Sequence, residues 1–137
     1  LVAPGHRLAG RPYVRPRDLA RERLLLYSPP ATSNFYQQFL AGVEPQALAQ
    51  VQLTEAIVSM IRAGLGVGPL PRWAVGEELR RGTVVGVPLG ERGMRRQWSA
   101  ATRVGARRPR YLADFLELVT ASAGPSRFAQ RQAAAAR

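Results

Sequence analysis

Apolar positions between residues 53 and 89 change their period three times, and each change marks an element. Ile57, Met60 and Ile61 form an apolar stripe at helical spacing. Thr54 stands before the stripe as the expected N-cap, and Glu55 follows in the first turn, where the helix dipole favours negative charge. Gly64 is placed to close this helix in a left-handed conformation. Residues 67–70 are a short apolar run between Gly66 and Pro71, the length of a buried strand. A second helix is expected from about Arg72 to Arg81, ended by Gly82, and residues 84–89 read as a strand weakened by Gly86 and Pro88. Helix, strand, helix, strand with short loops is the pattern of an α/β sheet with crossover helices.

The flanking stretches extend this pattern. Leu1 to Pro4 reads as the end of a strand, and Pro16-Arg17-Asp18-Leu19 as a turn into a short helical segment with Asp18 placed to cap it. Leu24-Leu25-Leu26-Tyr27 is continuously apolar, which suits a strand buried on both faces. Residues 28–34 form a loop feeding a helix, with Ser33 as N-cap, Phe35, Phe39 and Leu40 on one face, and Gly42 as the stop. Residues 48–53 alternate, with Leu48, Val51 and Leu53 nearly in phase, and read as a strand. Another alternating run, residues 96–104, places Trp98, Ala100, Thr102 and Val104 on one face. The clearest stripe is the last: Tyr111, Leu112, Phe115, Leu116 and Val119, with Pro109 near the first turn and Gly124-Pro125 ending the helix. Residues 126–137 are a tail with a run of alanines.

Composition sets the class. A 137-residue chain with 46% apolar residues holds one ordinary domain or two small lobes. No apolar run approaches the roughly 18 residues of a membrane span, and the N-terminus is too short and uncharged for a signal peptide. With no cysteine there is no disulfide framework and no thiolate metal site, so cytoplasmic is the default expectation, without membrane partner. The net charge of +11 comes entirely from arginine, since the sequence has no lysine. The arginines are scattered, and the plain reading is a compositional bias carried on solvated faces.

Catalytic chemistry has little to stand on. His6 is the only histidine and is expected at the surface, and the nine acids form no spaced ligand set. Glu77-Glu78 reads as an exposed face balanced by Arg80-Arg81. No serine sits in a nucleophile elbow. Gly64-Leu65-Gly66-Val67-Gly68 invites comparison with a dinucleotide fingerprint, but it leaves a helix and opens a strand, the reverse of a phosphate-cradling loop. It is a helix cap and tight turn, although a glycine-lined strand mouth also admits a ligand close to the backbone. No cofactor and no metal are expected. Trp73 is expected to anchor its helix against the sheet, with stacking on a ligand the alternative. The loops at 28–33 and 67–71 follow strand ends, and the helix starts at Ser33 and Thr54 are either anion sites or plain caps.

The stretch Ala63-Gly64-Leu65-Gly66-Val67-Gly68-Pro69-Leu70-Pro71, followed by Trp73-Ala74-Val75, Gly82 and Pro88-Leu89, resembles the effector-binding domain of LysR-type transcriptional regulators. The opening Leu1-Val2-Ala3-Pro4-Gly5-His6-Arg7-Leu8-Ala9, with Asp18-Leu19 and Leu24 to Tyr27, resembles the same family, and the likeness covers about residues 1–120. Leu53-Thr54-Glu55-Ala56-Ile57, Leu70-Pro71-Arg72-Trp73 and Gly42-Val43-Glu44-Pro45 look most like the MetR-type subgroup, which regulates methionine biosynthesis and responds to homocysteine.

The resemblance implies a periplasmic-binding-protein-like (type 2) α/β fold of two lobes with an effector in the cleft between them. It assigns 1–22 to the end of the first lobe and the hinge, and 23–90 to a nearly complete second lobe. Residues 91–123 become the returning hinge strand and helix of a partial first lobe, and 124–137 a flexible tail. It implies pocket residues Ser28, Pro29, Thr32, Ser33, Thr54, Val67, Gly68 and Pro69, and a small amino-acid-like effector. It also implies a homodimer or tetramer, with residues 107–120 and 48–53 near the subunit interface. DNA would be reached only through a winged helix-turn-helix that has no counterpart in these residues, so the chain reads as a C-terminal portion of a regulator. With first-lobe partners absent, Tyr111, Phe115 and Val119 are expected to lack packing and to favour self-association. Two other readings stay open: a solute-binding protein of a transport system, which shares the fold, and a basic nucleic-acid-binding module, which would need aromatics interleaved with clustered arginines.

Overall fold

The computed structural model describes residues 1–96, 100–102 and 109–122, and the chain divides into two units, Leu1–Arg95 and Arg96–Arg137. In the first unit, strand β1 (Arg23–Leu26) pairs in parallel with β2 (Ala47–Gln50), Leu24 opposite Leu48. Parallel neighbours need a crossover, and helix α1 (Asn34–Gln38) lies within it. On its other side β1 bridges Val67 in parallel, Leu25 donating its N–H to Val67 O at 2.8 Å and Val67 to Arg23 O at 2.9 Å. Helix α2 (Thr54–Arg62) carries the chain from β2 to that point. Beyond it, Leu1 and Gly68 exchange two backbone hydrogen bonds, and Val2 and Val85 exchange two more. Residue pairs thus continue the two regular strands into a wider sheet in the order β2, β1, Val67, Leu1–Val2, Val85.

Successive residues of β1 enter opposite cores, as the period-two pleat requires. Leu24 and Leu26 pack with Val2, Leu8, Val14, Leu19, Phe35, Leu40 and Val67, whereas Leu25 packs with Ile57, Val58, Ile61, Val75 and Val84. All three leucines are buried, worth roughly 2 kcal/mol each in transfer from water. The apolar stripe of α2 lies in the second cluster, and Gly64 ends its turn at φ +74° as expected. A 3₁₀ turn (Arg72–Val75) leads into α3 (Gly76–Arg81), closed by Gly82 at φ +68°. Glu77 pairs with both Arg80 and Arg81 on that exposed face.

Several expectations are corrected. Thr54 is not the cap of α2: Leu53 has the extended cap conformation (φ −142°, ψ 116°), and Thr54 is the first helical residue. Asp18 caps from inside its 3₁₀ turn (Pro16–Leu19), accepting the Arg15 N–H at 2.8 Å. Residues 67–70 and 84–89 are not regular strands. Pro88 has no N–H to give, and its carbonyl instead accepts from Val14 at 2.9 Å, so the second segment makes isolated bridges Val2↔Val85 and Val14↔Leu89. In β2 the phase is reversed: Ala47 and Ala49 face inward, Ala49 and Val51 pack on the second cluster, and Leu48 is exposed on the open sheet edge. Trp73 is 74% exposed and anchors nothing, because the tight 3₁₀ turn gives the buried position to Val75. His6 is half-buried rather than on the surface, with Nε2 3.2 Å from a Glu22 carboxylate that is 8% exposed.

In the second unit, α4 (Arg110–Ser122) follows Pro109, whose carbonyl accepts from Leu112 and Ala113. Tyr111, Phe115, Leu118 and Val119 are exposed along it. Residues 100–102 carry no regular element, and the rest of the expected strand at 96–104, like Gly124-Pro125 and the tail, lies outside the described residues.

Candidate ligand site

The three parallel members of the sheet, β1, β2 and Val67, run the same way, so their carboxyl ends open on one edge. In α/β sheets that edge is where ligands sit, because loops there diverge around exposed backbone ends. All eight residues expected for a pocket belong to the strand ends or follow them directly. Ser28, Pro29, Thr32 and Ser33 follow β1, Thr54 follows β2, and Val67, Gly68 and Pro69 form and leave the third member.

Their side chains divide into committed and available groups. Ser33 Oγ accepts the Tyr36 N–H at 3.3 Å as the cap of α1, and Thr32 Oγ1 donates to Pro29 O at 3.3 Å in the 3₁₀ turn Pro30–Thr32. Among the described residues, the hydroxyls of Ser28 and Thr54 make no hydrogen bond. At the start of α2 the first helical bond is Ile57 N–H to Leu53 O, which leaves the N–H groups of Thr54, Glu55 and Ala56 ahead of the ladder. Glycine is required behind this edge: a Cβ on Gly68 would lie 2.9 Å from Leu25 O, and one on Gly66 2.7 Å from Arg23 O.

A cavity of about 570 Å³ lies beside the third strand end. Val67, Gly68 and Pro69 line it, but Ser28, Pro29, Thr32, Ser33 and Thr54 do not. Its other walls come from residues that sequence reasoning left as plain core or loop, among them Leu8, Phe35, Val87, Leu89 and Met94. These are scattered over the chain and no local pattern joins them. Arg72 also lines it, and every other lining residue is apolar, glycine or proline. The Leu1 nitrogen sits at the same place, donating to Gly68 O at 2.7 Å. Among the described residues no group of acids, histidines and cysteines could hold a metal ion.

Comparison with known proteins agrees with this architecture. The LysR substrate binding domain family matches residues 1–124. The HTH-type transcriptional regulator MetR of Escherichia coli K12 is 38% identical over 111 residues, 79% of this chain and 34% of the relative. MetR of Salmonella typhimurium is 36% identical over the same length. The chain thus spans about a third of the length of the curated relatives it matches. Among solved structures, the regulatory domain of MetR, a LysR family regulator from N. meningitidis, superposes with a TM-score of 0.64 at 27% identity, covering 68% of this chain and 44% of that one. It carries the same periplasmic-binding-protein-like fold expected from the sequence. With nearly the whole chain matched by one domain family and its relatives drawn from one subgroup, this protein belongs to the LysR substrate-binding domain family, in its MetR-like branch.

Proposed function

We propose that this chain is the effector-sensing portion of a cytoplasmic MetR-like transcriptional regulator, taking an amino-acid-like metabolite, homocysteine first among the candidates, at the carboxyl edge of its sheet. The observation that carries the reading is the placement of Ser28, Thr54 and the free N–H groups of α2 beyond parallel strand ends, where a small zwitterion finds donors without displacing internal bonds. Residues 23–90 act as one lobe, with 1–22 and 91–123 as hinge and first-lobe parts and 124–137 as a tail. The effector works by differential affinity for lobe arrangements, which alters packing in a homodimer or tetramer and so the seating of DNA-binding heads supplied outside these residues. No catalytic step, cofactor or metal enters this proposal.

Calorimetric titration of this chain, and of a version extended at its N-terminus, with homocysteine and a panel of amino acids tests it. Saturable binding that weakens on Thr54→Ala supports the reading. Failure of every amino acid, with salt-sensitive binding of a DNA or RNA oligomer instead, overturns it.

A further inference from the structure

Among the described residues lining the 570 Å³ cavity, Arg72 carries the only charged side chain. Among the described residues its guanidinium has no ion pair or hydrogen bond. It stands directly after Pro71, at the first position of the 3₁₀ turn Arg72–Val75, so the chain that carries it is held at a proline-restricted φ. Glu77, one of the two acids that next follow in sequence, is occupied by Arg80 and Arg81, and no acid lines the cavity to neutralise Arg72. Other walls are Leu24, Phe35, Val87 and Met94.

A cavity of this size lined by apolar side chains with a few polar groups is the usual form of a small-molecule site, in which the polar groups fix orientation and the walls supply burial. Here the one polar side chain is a permanent cation with a planar fork of donors, whose geometric complement is a carboxylate. We propose that Arg72 is the specificity-determining residue of this cavity, which Val67, Gly68 and Pro69 share with the strand edge and which Ser28 and Thr54 do not line. It holds the carboxylate of a small monocarboxylate whose apolar body enters the cavity beside Gly68 and Pro69. The inference rests on the effector-sensing reading for the site, but it concerns a residue that no comparison assigns and a ligand feature that homocysteine shares with many acids.

Glycine at 68 belongs to the same design. Gly68 lines the cavity, while a Cβ there would crowd Leu25 O and the side chains of Ile57 and Ile61 behind it, so the strand end that borders the ligand admits no side chain. A dication or a phosphate dianion has no counterpart in such a lining. One exposed guanidinium beside apolar walls matches one negative charge.

The test is calorimetric titration of this chain with two probes, homocysteine and hexanoate, and with hexanamide as the uncharged control. Hexanoate is expected to bind about tenfold more tightly than hexanamide, a difference abolished in Arg72→Gln and partly kept in Arg72→Lys. Near-ultraviolet circular dichroism of each variant confirms the native fold, and Arg72 is exposed, so its replacement leaves the core intact. The outcomes separate the two readings. Homocysteine binding that is indifferent to Arg72→Gln overturns the role of Arg72 and leaves the effector reading standing. Hexanoate binding that depends on Arg72, with no homocysteine binding, supports Arg72 and overturns homocysteine. Equal binding of hexanoate and hexanamide, or binding of neither probe, overturns the assignment of Arg72.

Discussion

His6 Nε2 lies 3.2 Å from Oε2 of Glu22, joining the loop that follows the first sheet residues to the segment that enters β1. The Leu8 N–H points at His6 Nδ1 at 3.3 Å, so that nitrogen is the acceptor and the heavy-atom geometry assigns the ring hydrogen to Nε2. Arg7 approaches the other Glu22 oxygen at 2.6 Å. One buried carboxylate therefore fixes two neighbouring side chains and, through them, the position of fully buried Leu8.

Replacing Glu22 by Gln keeps the shape and removes the charge. A loss of about 1–3 kcal/mol is expected, since a charge-assisted pair is lost from a buried site. Urea unfolding followed by circular dichroism measures it. A midpoint equal to that of the parent chain would show that this cluster does not hold the loop.

The glycines behind the strand edge differ in what they tolerate. Gly66→Ala places a Cβ 2.7 Å from Arg23 O, against backbone that is itself hydrogen-bonded to Val67. A destabilisation of about 2 kcal/mol or more is expected, from overpacking against an immovable partner. Gly10→Ala meets nothing within 4 Å and should leave the unfolding midpoint unchanged or slightly raised. Equal effects at the two positions would remove the close-approach explanation.

Ser33 and Thr54, alike in sequence as helix-start residues, should part company on mutation. Ser33→Ala removes the bond to the Tyr36 N–H and should cost about 1 kcal/mol. Thr54→Ala removes no hydrogen bond within the described residues and should change stability by less than about 0.5 kcal/mol. Any loss of ligand affinity in Thr54→Ala then reports on contact with the ligand. A large stability loss at Thr54 would instead show a structural role for its hydroxyl.

In a polypeptide that starts at Leu1, the amine is buried against Gly68 O and titrates at about 6 in the folded state against 8.0 in the unfolded chain. Between those values the unfolded state binds more protons, so stability rises as pH goes from 6 to 8 and is lost again on acidification through 6. The contribution is roughly 3 kcal/mol. Acetylating the amine removes this slope. Melting temperatures of the free and acetylated chains at pH 5.5 and about 8.5 give the comparison, and identical profiles would refute it.

Local pattern was enough wherever one face of an element met one core. The stripe of α2, the caps at Ser33, Gly64 and Gly82, and the doubly buried run from Leu24, which stops at Leu26 with Tyr27 exposed beyond the strand, are written in spacing, because helical and pleated periods dictate which residues share a face. The succession of these elements, with the glycine-proline stretch at 64–71, also carried the family likeness.

What tertiary structure decided was which partner each segment met. Leu48 faces out because the pleat sets it opposite the inward Ala47 and Ala49, and residues 84–89 make bridges rather than a strand because Val85 pairs with Val2, Leu89 with Val14, and Pro88 between them has no N–H to give. Trp73 stays in solvent because a 3₁₀ turn hands the core to Val75, and His6 is drawn inward by an acid sixteen residues away. The candidate site divides the same way. Its strand-end residues were legible from the order of elements, whereas the cavity walls and the lone cation at Arg72 were not, since they are assembled from segments whose proximity no local period encodes.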